Sequence, residues 1–212
     1  TRALTDASLT IPHKTFMGVI GMNGAGKSTL FKAIMGLVKP ETGSILVCGK
    51  TPQEAQKLGL VAYVPQHELV DWDFPISVYD VVMMGRLGSQ NMLRSQSTED
   101  KELVADALLK VHMSEFAHRQ IGALSGGQRR RVFIARALAQ GASILLLDEP
   151  FAGLDAASEQ RLTTLLVALQ NEGKTIVVST HELTSLSEYC DTVALVKHTI
   201  IVFFCRFSGF LL

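Results

Sequence analysis

The stretch Phe16-Met17-Gly18-Val19-Ile20-Gly21-Met22-Asn23-Gly24-Ala25-Gly26-Lys27-Ser28-Thr29-Leu30 decides the fold. Residues 16–20 are apolar or small and read as a buried strand. Residues 21–28 follow at once in the spacing GxxxxGK[ST], and a helical pattern over 27–36 begins inside that run. Strand, glycine-rich loop and helix together aim backbone N–H groups at an anion, and glycines are needed where a Cβ would obstruct it. In that frame Lys27 reaches the β- and γ-phosphates of a nucleoside triphosphate, and the Ser28 hydroxyl, with Thr29 beside it, lies where Mg²⁺ would be held.

Two further runs carry chemistry. Residues 143–150, Ser-Ile-Leu-Leu-Leu-Asp-Glu-Pro, form an apolar strand ending in two carboxylates. That exposes them at the carboxyl edge of a sheet, where open α/β folds bind ligands. Asp148 would hold Mg²⁺ directly or through water, and Glu149 could polarise a water as general base. Alone, the pair would also suit a helix N-cap after a core strand; beside the Lys27 loop the catalytic reading prevails. The other run is Leu124-Ser125-Gly126-Gly127-Gln128, followed by Arg129, Arg130 and Arg131 and a helix through Ala139. A serine and two glycines opening a helix make an anion site. The arginines read first as a solvated helix face with some attraction for phosphate.

Outward from these motifs, short aliphatic runs alternate with helical periodicity. Strands are expected at 16–20, 44–48, 61–64, 144–147, 175–179 and 192–196, the last four almost wholly apolar, as in a mostly parallel sheet covered on both faces. Helices are expected at 99–111 and 156–170, each with leucines and valines on one face. The alternation argues for α/β architecture. From His67 to Gln120 it breaks down, and the region reads as a helical insertion.

Composition bounds the rest. Lys plus Arg number 20 and Asp plus Glu 20, so no basic excess points to a nucleic-acid partner. Three distant cysteines, Cys48, Cys190 and Cys205, form no metal or disulfide pattern and suit a reducing compartment. His181-Glu182 begins like the zinc motif HExxH, but Ser185 stands where the second histidine belongs. No run of 18 apolar residues crosses a membrane.

The order of the 21–28 loop, Gln66, residues 124–128, residues 143–150, Asp155 and His181 resembles the nucleotide-binding subunit of ATP-binding-cassette (ABC) transporters, over about residues 3–196. The resemblance implies an α/β P-loop NTPase core with a mostly parallel sheet, an N-terminal antiparallel β part and an inserted helical subdomain at about 67–140. It implies that Gln66, at the end of Tyr63-Val64-Pro65-Gln66, contacts Mg²⁺ and the attacking water. It also implies that Gly153-Leu154-Asp155 touches the opposite subunit's site and that His181 senses the γ-phosphate. Outside that frame Gln66 and His181 would be ordinary polar residues at strand ends. Members pair head to tail, so residues 125–128 of one subunit close over the ATP of the other, and hydrolysis requires the dimer.

The run Gln66 to Arg86 occupies the stretch that docks to the membrane subunit in the family, and its Val-Asp-Trp-Asp-Phe-Pro is similar to importers of manganese, iron or zinc. Trp72, with Phe74 and Pro75, reads either as a projection for a partner helix or as local packing. The resemblance therefore implies a permease partner, a substrate-binding protein in the same system, and a place at the cytoplasmic face of the membrane. ABC ATPases of other transport substrates, of DNA repair or translation, and hydrolysis-defective modules are the alternatives. Two departures stand out. No adenine-stacking aromatic precedes the loop, Phe16 reading as core, so the chain is expected to be cut at its N-terminus. The tail 197–212, with four of the ten phenylalanines in its last ten positions, reads as a truncated or frameshifted end, as a core strand, or as a membrane or partner contact.

Overall fold

A computed structural model describes residues 4–66, 72, 74–88, 96–181 and 189–204, the side chains of 202–204 excepted. The chain forms two compact units. One comprises residues 1–66, 143–150 and 166–212, the other residues 67–142 and 151–165.

The first unit is built on a six-stranded sheet in the order β2-β3-β4-β1-β5-β6. Its strands are β1 (Phe16–Ile20), β2 (Val61–Val64), β3 (Ile144–Asp148), β4 (Thr175–Thr180), β5 (Thr192–Val196) and β6 (Ile200–Phe204). All pairings from β2 to β5 are parallel, whereas β5 and β6 run antiparallel. The apolar composition of β1 and β4 follows from their central places: every residue of both is buried. Met17, Val19, Leu146, Val177 and Ala194 form a core with Leu30 and Phe31 of α1 (Lys27–Ile34).

The mostly parallel α/β architecture expected from the sequence holds. The run 44–48 differs. It makes only an antiparallel bridge between Val47 and Lys50, because Cys48 (φ 52°) and Gly49 (φ 75°) turn the chain back at once. Helix α2 (Pro52–Lys57) was not expected; Thr51 and Glu54 cap it reciprocally and proline starts it. In the tail, residues 200–204 pair with β5 in register from Val196↔Ile200 to Thr192↔Phe204, which matches the strand alternative for that segment. Residues 205–212 lie outside the described residues.

The second unit is helical, with α3 (Val78–Met83), α4 (Thr98–Lys110), α5 (Gly126–Ala139) and the start of α6 (Ala156–Asn171). Helices α3 and α4 both pack on α5, whose Val132, Phe133, Ile134 and Ala135 are buried. A partly buried ion pair ties it together. Arg86 Nε donates to Asp100 at 2.9 Å, and Arg86 Nη1 donates to the Ala139 carbonyl at 2.9 Å. Hydrogen bonds from the Arg86 guanidinium hold the Asp100 carboxyl below the usual aspartate range, and the Ser97 amide adds to the shift.

Candidate nucleotide site

Parallel strands place all their carboxyl ends on one edge of the sheet, and four adjacent strands deliver the predicted residues there. β1 ends in the 21–28 loop, β2 leads into Gln66, β3 ends at Asp148 with Glu149 next, and β4 leads into His181. Residues 32 to 160 positions apart in sequence thus converge through register alone.

The loop has the backbone that an anion cradle needs. Gly24 and Gly26 adopt φ of 83° and 109°, and Gly26 is the N-cap of α1, so the first-turn amides of that helix open toward the loop with no carbonyl of their own. Met22, Asn23, Gly24 and Ser28 are exposed, while Ala25, Gly26 and Lys27 are buried. Gly21 is required for another reason. A Cβ there would stand 2.5 Å from the Val196 carbonyl oxygen at the end of β5. The loop rests on its surroundings through backbone bonds: the Gly21 amide donates to the Thr180 carbonyl at 3.3 Å, and the His198 amide to the Ala25 carbonyl at 3.3 Å.

Lys27 Nζ donates to the Gly21 carbonyl at 2.6 Å and lies 3.2 Å from Glu149 Oε1. The other carboxylate oxygen, Glu149 Oε2, is 3.0 Å from His181 Nδ1. Glu149 is buried and its φ of 47° is left-handed, a conformation worth about 1–2 kcal/mol of strain in a residue with a side chain. Such strain persists only where surrounding bonds fix it. Here the Glu149 amide donates to the Ser179 carbonyl at 3.1 Å and to Ser179 Oγ at 3.0 Å.

Asp148, 4% exposed, accepts hydrogen bonds from Ser179 Oγ on Oδ1 and from the Tyr63 hydroxyl on Oδ2, the latter at 3.1 Å. Ser179 thus touches both acidic residues, yet neither it nor Tyr63 was singled out from the sequence. The available signal was a hydroxyl at the end of an otherwise apolar buried strand, one position before a second hydroxyl.

In the helical unit, Ser125 caps α5 in a reciprocal box. The Ser125 amide donates to Gln128 Oε1 at 2.9 Å, and the Gln128 amide to Ser125 Oγ at 3.3 Å. Ser125 and Gly126 are exposed at the helix end. Gly127 packs beside Ser158, which is itself bound to Asp155: Ser158 Oγ donates to Asp155 Oδ2 at 2.7 Å and the Ser158 amide to Oδ1 at 2.9 Å. Those bonds hold the Asp155 carboxyl below its ordinary value.

A GxxxxGK[ST] loop entering a helix, with paired carboxylates at the end of a strand two places away in the same parallel sheet, defines a P-loop nucleoside triphosphatase. Residues 4–152 match the ABC transporter family, and the chain belongs to it. It is 50% identical over 199 residues to the manganese transport system ATP-binding protein of a Synechocystis species, covering 94% of this chain and 76% of that one. It is 46% identical to the zinc transport system ATP-binding protein of Treponema pallidum, over 93% and 74% of the two chains. Among solved structures, a dimeric bacterial ABC transporter cassette superposes with a TM-score of 0.80 at 28% identity, over 98% of this chain and 92% of that one. The chain is a nucleotide-binding ATPase of this family. No helix among the described residues is long and apolar enough to cross a membrane.

Proposed function

We propose that this chain is the ATP-hydrolysing subunit of an importer of manganese, iron or zinc, acting through a separate permease at the cytoplasmic face of the membrane. The observation that carries the ATPase chemistry is the Lys27–Glu149–His181 cluster beside the phosphate loop. Identity near one half to ATP-binding proteins of manganese and zinc transport systems supports the cargo. In this reading residues 1–196 form one ATPase domain with the helical insertion at about 67–140. Residues 125–128 and Asp155 of one copy close over the ATP held by residues 21–29 of another. A substrate-binding protein belongs to the same system.

The residues fit Mg²⁺. Asp148 is a well-supported carboxylate at the strand end, Ser28 is an exposed hydroxyl on the first turn of α1, and Gln66 is exposed after β2. Among the described residues no three His, Cys, Asp or Glu side chains group as a metal site. That suits an ion taking its remaining ligands from phosphate and water. When bound, it supplies charge neutralisation on the phosphates.

The chain's own groups do the rest. Lys27 exchanges the Gly21 carbonyl for phosphate oxygens, and the amides of 24–28 hold the same anion. Glu149, released from Lys27, accepts a proton from the attacking water, while His181 holds its Oε2 and meets the γ-phosphate. Gln66 orients that water. Glu149→Gln should lose turnover, measured as phosphate release, while keeping ATP binding and trapping a dimer seen by light scattering. Parental turnover would refute the assignment of the base. For the cargo, loss of the chain should lower cellular manganese, iron or zinc by elemental analysis; unchanged contents of all three would refute metal import.

A further inference from the structure

Trp72 does not point only outward. Its ring is half-buried within the helical unit, where the Arg129 guanidinium lies over it with Cζ 4.3 Å from the ring centre. Phe133, one turn further along α5, meets the ring edge-on at 6.2 Å between centroids. Arg129 immediately follows Gln128, and its amide donates to the Ser125 carbonyl at 2.9 Å as the first bond of α5. Its Nη2 donates to the Gly122 carbonyl at 2.7 Å. Gly122 is in turn pinned from the other side. A Cβ there would stand 2.3 Å from the Trp72 carbonyl oxygen, so only glycine lets the two backbones approach.

The lacing continues beyond this triad. The Ile121 amide donates to the Ile76 carbonyl at 3.0 Å, and the Val78 amide to the Arg119 carbonyl at 3.0 Å. Arg129 Nε is buried with no hydrogen-bond acceptor. Burying the guanidinium is costly, and the ring face against Cζ offsets part of that cost through a cation–π contact. Arg129 therefore rests on Trp72 and spans from it to the first turn of the helix that presents residues 125–128.

We propose that Trp72 is a positioning residue for the Ser125–Gly126–Gly127–Gln128 helix end, acting through Arg129 and Gly122. The proposal rests on the reading that this helix end closes on the ATP of a second copy. A displacement of Trp72 is then delivered directly to the closing surface, and the exposed Phe74, 59% accessible, is left to face a partner. Trp72 touches no reacting atom; its role is the pose of α5.

The test uses the full chain carrying Glu149→Gln, in which the reading expects ATP to drive dimerisation. The measured quantity is the ATP concentration at half-dimerisation, by light scattering. Trp72→Leu and Arg129→Ala should each raise it about fivefold, the size of one partly desolvated cation–π contact. The double variant should be no worse than the poorer single, and Trp72→Phe, which keeps a ring face, should stay near the parent. Binding of a fluorescent ATP analogue to the monomer should not change, because the phosphate loop is untouched; a merely structural loss would lower both. Trp72 is the only tryptophan, so Arg129→Ala should also shift its emission to the red as the ring face opens to water. Should Trp72→Leu fail to fold, Trp72→Phe and Arg129→Lys carry the comparison, the lysine losing the planar stack and raising the threshold. Additive losses, or thresholds equal to the parent, overturn the strut. Failure of the Glu149→Gln parent to dimerise with ATP overturns the underlying reading and the proposal with it.

Discussion

Ser179→Ala removes one oxygen from a fully buried position, and the structure says what that oxygen holds. Ser179 Oγ donates to Asp148 Oδ1 and accepts from the Glu149 amide. The amide keeps its second acceptor, the Ser179 carbonyl at 3.1 Å, so the left-handed backbone at Glu149 should survive. Asp148 loses one of two donors and, among the described residues, retains the Tyr63 hydroxyl. A buried acceptor left without its partner costs about 1–3 kcal/mol, toward the upper end when charged. Taking ~2 kcal/mol, a chain of this size should melt about 4–8 °C lower. The larger consequence is chemical. A carboxylate proposed to hold Mg²⁺, once held by one donor in place of two, should lose about 10–100-fold in activity or metal affinity. The assay is phosphate release against Mg²⁺ concentration at saturating ATP, beside a thermal melt. Ser179→Cys, similar in volume and a weak donor, should fall between. A lower melting temperature with unaltered turnover and Mg²⁺ dependence would show that Ser179 only fills space, and would refute the orienting role.

The remaining expectations concern other parts of the two units. Gly21→Ala places a methyl 2.5 Å from the Val196 carbonyl oxygen and 3.1 Å from the Ala25 Cβ; the forced shift of the loop, about 1–3 kcal/mol as overpacking, should weaken ATP binding by roughly tenfold or more in a calorimetric titration, and parental affinity would contradict it. Asp155 is held below the ordinary aspartate value by its Ser158 bonds. A depressed folded value means the contribution to stability is present above the unfolded value, about 3.9, and is lost as pH falls through the lower folded one. NMR titration should therefore find Asp155 ionised below that value in the parent and shifted upward in Ser158→Ala; identical titrations would dismiss the hydrogen bonds as the cause.

Much of the site was readable because its chemistry is local in sequence. The 21–28 spacing and the strand-ending Asp148-Glu149 pair each need only neighbours along the chain, and the structure forms the loop and the strand end; residues 124–128 read as an anion site at a helix start, and the structure adds a local box between Ser125 and Gln128 there. Helix α2 was also legible in principle, since Thr51-Pro52-Gln53-Glu54 carries its own start signal. The run 44–48 misled because aliphatic residues suit a strand, whereas a strand exists only if another pairs with it, and the turn at Cys48-Gly49 leaves only a bridge.

The sequence by itself determined the phosphate loop, its lysine, the acidic pair and the alternation that makes a parallel sheet, because each is a matter of residue type at short spacing. The tertiary structure alone decided that β2, β3, β4 and β1 lie side by side, and hence that Lys27, Glu149 and His181 meet within 3.2 Å. It also decided that Ser179 and Tyr63 donate to Asp148, and that the Trp72 ring faces Arg129. Strand order and ring orientation are set by which apolar faces bury one another across long sequence separations, and no short window of residues carries that information.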